Sequence, residues 1–343
     1  MSWIGYRNPI FPRILRMLAL GSMLGLVTIE SGATSVWMSV MEPQWRAAKG
    51  WPQSDFPTLF KPRAPWPEAA KVVSVVNFTL LFVLRSPDDE FKEALDGLRA
   101  RGIALSIQAQ PLTESQACGR ATESFGPPFE MARAAQRLKK FGADLRYIML
   151  DEPLYFGHQF AGQEGRIPCQ FSIDKLASES ARKLAPMFEA YPDVQVGDVE
   201  PIGGNGTPAA VWGHKILAWH RQFKEKTGHP ITFFDADVIW SINGSLENFE
   251  KIVSILRTEP VSIGVIYHGL ADARSNQEWE QQALMEARRA EIERGIYVDR
   301  VLFESWFDFP RDLSNENQAG TLTHLIKTYA ADRNRRGHPV QAH

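Results

Sequence analysis

Short apolar, β-prone runs alternate with longer stretches of helical period along most of this chain. The runs are SVWMSV (35–40), KVVSVVNF (71–78), IALSIQA (103–109), LRYIML (145–150), VQVGDVE (194–200), ITFFDAD (231–237), VSIGVIYH (261–268) and RVLFESW (300–306). Each has the length and the branched or aromatic content of a buried strand. The stretches between them carry apolar residues three and four apart, which is the stripe of a helix packed on one face. Asp88, Asp89 and Glu90 open one such helix, Phe91, Ala94, Leu95 and Leu98 are its stripe, and Gly102 closes it. Met131, Ala134, Ala135, Leu138 and Phe141 form a second stripe, ending at Gly142, and Leu246, Phe249, Ile252, Val253 and Leu256 mark another. Ser172 is placed to cap the helix whose inward side holds Ile173, Leu176, Ala177, Leu184 and Phe188, and Ser275 with Glu278 has capping-box spacing.

Strand and helix alternating about eight times predict a parallel sheet. A doubly wound open sheet competes with a closed (βα)8 barrel. The count of eight favours the barrel, and no Gly-rich dinucleotide turn follows the first strand. Gly203-Gly204-Asn205-Gly206 lacks the Lys-Ser/Thr that would make it a P-loop. The reading is therefore one α/β domain, a TIM barrel over residues 34–330. The tail, 331–343, with Asn334, Arg335 and Arg336, is expected to be frayed surface.

The first thirty residues follow a different grammar. Arg7, Arg13 and Arg16 precede an apolar run from Met17 to Ile29, and Ser31-Gly32-Ala33 supplies small residues for cleavage. This predicts a signal peptide over 1–33, cut near Ala33, with an uncleaved anchor as the alternative. The run is short for a membrane span, so no span is expected in the mature protein. The barrel would then work in the periplasm or be secreted. Cys118 and Cys169, the only cysteines, fit an oxidising compartment but no zinc motif. The loops after the third and fourth strands would bring them together as a disulfide, with two free thiols as the alternative.

Charge narrows the function classes. Lys and Arg number 38 against 40 Asp and Glu, a formal net charge of -2. That balance, without a basic stripe, gives no footprint for nucleic acid. The acids instead gather where barrel strands end: Glu42 after the first, Asp151 and Glu152 after the fourth, Asp198 and Glu200 at the fifth, Asp235 and Asp237 at the sixth, Glu304 in the eighth. Barrel active sites lie at those ends. Side chains two apart on a strand share a face, so Asp198 and Glu200 continue the face of Val194 and Val196, and Asp235 and Asp237 that of Ile231 and Phe233. Such acids are either ion-paired braces or groups with shifted pKa values and a task. Tyr155, Trp240, Tyr267, His268 and Trp306 place rings at the same ends, as a sugar-binding cleft requires.

Leu150-Asp151-Glu152-Pro153 resembles the Asn-Glu-Pro signature of the retaining TIM-barrel glycoside hydrolases, and the layout from about residue 35 to 330, with Phe303-Glu304-Ser305-Trp306 near its end, is similar to theirs. The resemblance implies that Glu152 is the general acid/base. Two departures accompany it: Asp151 stands for the signature Asn, and the seventh strand ends in Tyr267-His268-Gly269 where the clan has its nucleophilic Glu. The partner carboxylate is then expected from Glu200, Glu304 or Asp237. Glu200 continues an apolar face. Glu304 lies on the strand opposite the fourth, on the face of Arg300 and Leu302, whose direction the sequence leaves open. The function expected is hydrolysis of an oligo- or polysaccharide, with Asp151, Tyr155, Asp198, Asp235, Asp237, Trp240, Tyr267, His268 and Trp306 contacting substrate and with neither metal nor cofactor. A glycan-binding protein without catalysis is one alternative. A metal-dependent sugar isomerase or lyase, using Glu152, Glu200, Asp235, Asp237, His158 and His268, is the other.

Overall fold

All eight apolar runs become strands, and they close into one parallel barrel. The computed structural model describes residues 33–163 and 165–342; the signal-peptide reading, except for Ala33, falls outside them. In chain order the strands are β1 (Ser35–Ser39), β2 (Val73–Phe78), β3 (Ala104–Ala109), the two-residue β4 (Leu112–Thr113) and β5 (Phe125–Gly126), β6 (Leu145–Asp151), β7 (Gln195–Ile202), β8 (Ile231–Val238), β9 (Ser262–Tyr267) and β10 (Arg300–Phe303). Around the barrel the order is β1-β10-β9-β8-β7-β6-β3-β2, while β4 and β5 pair only with each other. The fourth and eighth barrel strands, β6 and β10, are thus diametrically opposed.

The helices are α1 (Pro43–Lys49), α2 (Pro67–Ala70), α3 (Leu80–Arg85), α4 (Asp88–Ala100), α5 (Glu130–Lys140), α6 (Ile173–Ala190), α7 (Ala209–Thr227), α8 (Ser245–Leu256), α9 (Asn276–Ala287) and α10 (Leu322–Arg335). Their predicted stripes are the buried ones: Phe91, Ala94, Leu95 and Leu98 on α4, and Met131, Ala134, Ala135 and Leu138 on α5. Ser172 and Ser275 accept the backbone N–H three residues on, from Lys175 and Glu278. These stripes pack on the outer face of the barrel. Among the described residues, no helix is long and apolar enough to cross a membrane.

Inside, Trp37, Val75, Met149, Val199, Phe233, Ile266 and Leu302 form a separate cluster. Strand alternation therefore assigns the inner face to Met149 and Asp151 on β6, Val199 on β7, Asp235 and Asp237 on β8, and Arg300, Leu302 and Glu304 on β10. Small residues make room for large neighbours: a Cβ on Gly197 would sit 1.8 Å from the Phe233 ring. The segment after Tyr329 departs from the expected frayed tail. Helix α10 continues to Arg335, Thr34 donates to the Pro339 carbonyl (3.1 Å), and Arg333 donates to the Thr34 hydroxyl (2.8 Å). The ends of the described chain close on each other, and this gives those polar residues partners that a linear reading does not show.

Cys118 and Cys169 are bridged, with 5.1 Å between Cα atoms across 51 residues. The bridge joins the β4–β5 loop to the segment before α6. Lys183 of α6 secures the same loop by donating to the carbonyls of Leu112, Gly126 and Pro127. On the chain-entropy account, closing a loop of this length stabilises the fold by about 4 kcal/mol. Replacing both cysteines by Ser is expected to lower the unfolding free energy by up to that amount. Equal denaturation midpoints for the variant and the oxidised parent would refute this.

Candidate active site

Strand ends and the loops beyond them enclose a cavity of about 710 Å3 at the carboxyl mouth of the barrel. Six carboxyl groups line it: Glu123, Glu130, Asp151, Glu152, Asp237 and Glu304. Trp306 and Tyr155 add aromatic wall.

Asp151 reaches the cavity by strand alternation, and the next side chain should then turn away. Glu152 does not, because its backbone adopts φ 50°. That left-handed conformation costs a non-glycine residue about 1–2 kcal/mol. It brings two consecutive carboxyls into one site. Two contacts hold it there: Glu152 donates its backbone N–H to the Val199 carbonyl (3.1 Å), and the following turn is clamped by Glu200. Strain retained at a cavity is a common mark of a working residue.

Glu200 is placed differently from the expectation that made it a candidate partner. Its face of β7 looks outward, it is fully buried, and its two oxygens accept the backbone N–H groups of Leu154 (2.6 Å) and Tyr155 (2.9 Å). It does not line the cavity. Its role there is to cap the turn that carries Glu152. Asp198, on the same outward face, meets His220 of α7 at 2.9 Å. Asp235 is inward but lies deeper, paired with Arg300 at 2.8 Å and fully buried. Tyr267 points outward and donates to Glu291 (2.8 Å), and Trp240 is buried and donates to the Ile266 carbonyl (3.3 Å). These expected substrate contacts are structural in this geometry.

Glu304 is the reverse case. The face it shares with Arg300 and Leu302 is the inner one, so it enters the cavity opposite β6. Burial pushes its pKa up to about 8, reinforced by Asp151, Asp237 and Glu42 and opposed by a hydrogen bond with Ser39. Burial and the nearby charges of Glu123 and Asp237 raise Asp151 to about 7, against a hydrogen bond from Gln108. Glu152 is held well above the carboxylate range by burial and then by Asp237, Glu123, Asp151 and Glu200. Glu152 and Asp237 hydrogen-bond to one another, which requires a proton on one of them. His268 lies 3.5 Å from Asp237 and favours its charged form. Burial raises Asp237 as well, but His268 and Glu152 oppose that rise, whereas every neighbouring carboxyl pushes Glu152 further up, so Glu152 is the better proton holder of the two. His268 itself backs the cavity wall, its ring 4.5 Å from that of Trp306.

Sequence reasoning missed Gln108 and Glu123. Gln108 follows from the alternation of β3; Glu123 lies on an irregular loop and left no periodic signal. Among the described residues no three His, Cys, Asp or Glu side chains are grouped to hold a metal ion. His158, considered as a ligand, is engaged with the Phe171 carbonyl at 2.7 Å.

Glu286 supplies a pH test next to this site. Its Oε2 accepts the N–H groups of His268 (3.0 Å) and Gly269 (3.2 Å), and burial raises its pKa to about 8. A carboxyl raised on folding holds its proton in the folded chain while the unfolded chain has lost it. Its stabilising contribution is full below the unfolded value of about 4.5 and disappears as pH rises through about 8. Glu286→Gln keeps an acceptor for both N–H groups and cannot ionise. The parent should lose melting temperature between pH 5 and pH 8 more steeply than the variant; parallel curves would contradict the assignment.

No protein-family model and no curated protein matches the sequence. Solved structures do resemble the fold. The GH5_18 protein of Streptomyces cattleya, in complex with GlcNAc, superposes with a TM-score of 0.51 at 11% identity, over 90% of this chain and 82% of that one. A psychrophilic glycoside hydrolase family 10 endo-β-1,4-xylanase gives 0.48 at 12% identity, over 86% and 96%. D-psicose 3-epimerase from Clostridium cellulolyticum gives 0.42 at 11% identity, over 89% and 100%. At such identities the likeness concerns the barrel.

Proposed function

We propose that this protein is an exported glycoside hydrolase in which Glu152 is the general acid and Glu304 the second carboxylate. The observation that carries the reading is the placement of Glu152: strained into the cavity beside Asp237, at the end of the strand opposite the one that carries Glu304. Glycoside cleavage needs one carboxylic acid to protonate the leaving oxygen and one carboxylate to attack, or to activate water. Asp237 is unsuited to the second role. A carboxyl in hydrogen-bond contact with Glu152 leaves no room for a sugar ring between them, whereas catalytic pairs stand about 5–5.5 Å or 6.5–9.5 Å apart. Asp237 instead keeps the proton on Glu152 until the leaving oxygen takes it. The GlcNAc held by the GH5_18 neighbour, and the aromatic wall of Trp306 and Tyr155, support a sugar as substrate.

Glu304 must ionise before it can act, so kcat/KM should climb as pH rises from 6 toward about 8. Release of reducing ends from a panel of plant and bacterial polysaccharides, measured over that range for the parent and Glu304→Gln, tests the proposal. Turnover in the parent and its loss in the variant support it. Binding of glycans without turnover at any pH would replace it with the non-catalytic reading.

A further inference from the structure

The cavity has a polar asymmetry that the proposed chemistry does not use. Asp151, Glu152, Asp237 and Glu304 lie at the strand ends, while Lys49, Arg85 and Arg133, with Glu123 and Glu130 among them, line its wall on one side. Lys49 ends α1 and Arg85 ends α3, the helices that follow β1 and β2; Arg133 lies early in α5, the helix that follows β3 and its β4–β5 excursion. The facing side, over β7 and β8, is lined by Gly203, Gly204 and Asn205 and carries no cation.

These cations are not committed to the fold. Arg46, Arg300 and Arg333 each meet an acid partner. Arg85 and Arg133 are exposed, and no described residue hydrogen-bonds or ion-pairs with either guanidinium. Glu130 is the acid within electrostatic reach of both, but burial holds its carboxyl above the usual range and reduces the charge it returns. Lys49 rests over the Trp45 ring at 5.0 Å, with Glu123 within electrostatic reach.

Guanidinium groups without an ion pair on the wall of a glycan cleft are what would recognise a charged sugar.

We infer that this end of the cleft binds an acidic sugar unit, its carboxylate or sulfate held by Arg85 and Arg133. The inference rests on the glycan-cleft reading and names the substrate class for it. Arginine is suited to the task because its planar fork pairs two N–H groups with two oxygens of one anion. A neutral polysaccharide would leave the two guanidinium groups without a hydrogen-bonded partner.

Calorimetric titration of the full chain tests this without depending on turnover. The probes are an oligogalacturonate, a sulfated galactan oligosaccharide and neutral xylo- and cello-oligosaccharides of equal length. At least one acidic probe should bind about tenfold or more tightly than the neutral ones, and its affinity should fall as salt is raised. Preference for the uronate or for the sulfate ester identifies the anionic group. Arg85→Gln with Arg133→Gln should remove about tenfold of the affinity. Equal or tighter binding of neutral probes overturns the inference, as does failure of both acidic probes to bind at millimolar concentration or an unaffected arginine variant. Acidic binding with no hydrolysis of any glycan would leave the ligand class standing and remove the catalytic reading.

Discussion

Glu152→Gln is expected to lower kcat on an unactivated glycan by about 10²–10⁴-fold, the range contributed by a positioned general acid. The substitution keeps the side chain's size, and the amide can still donate to Asp237, so the fold and KM should change little. What disappears is the proton for the leaving oxygen. The diagnostic comparison uses two leaving groups. A dinitrophenyl glycoside departs without protonation, so its bond cleavage should be almost as fast in the variant as in the parent. Equal losses on both substrates would show that Glu152 acts otherwise than as an acid, and no loss on either would remove it from the chemistry. The parent's raised Glu152 pKa, caused by burial and the surrounding carboxyls, is what keeps that acid loaded near neutral pH.

Arg300→Met should give the largest loss of stability. Arg300 lies inside the barrel between the Trp37 and Phe233 rings, 4.9 and 4.5 Å from their centroids, and donates to Asp235 (2.9 Å), Ser262 (3.3 Å) and the Phe234 carbonyl (3.3 Å). Asp235 is fully buried, and burial already raises its pKa. Removing the guanidinium strands that acid in an apolar interior, at a cost of about 3–5 kcal/mol. Adding Asp235→Asn should recover a large part of the loss, because the penalty is the stranded charge rather than the missing attraction. Denaturant unfolding of the two singles and the double variant measures it. A double variant no more stable than Arg300→Met would place the cost in lost packing. Space for the pair is itself specified: a Cβ on Gly264 would lie 1.8 Å from the Asp235 carboxylate.

Local structure, and the two residue sets of each strand, were legible along the chain. Short apolar, β-prone runs located eight strands, and period 3.6 located the helical stripes. The same pattern placed Asp151 and Glu152 at a strand end, and alternation separated the two residue sets. Which set looks into the barrel came from closure of the sheet, because helices cover the outside and make both faces of a parallel barrel strand apolar. That outcome exchanged the two leading partners for Glu152. Glu200, continuing Val196, went outward to cap a turn, and Glu304, continuing Arg300 and Leu302, went inward to the cavity. Closure alone also paired Asp235 with Arg300, 65 residues away. Glu152 fits neither rule. Alternation would have sent it out of the site, and a single left-handed residue, fixed by the Val199 carbonyl and the Glu200 cap from the neighbouring strand, turned it in.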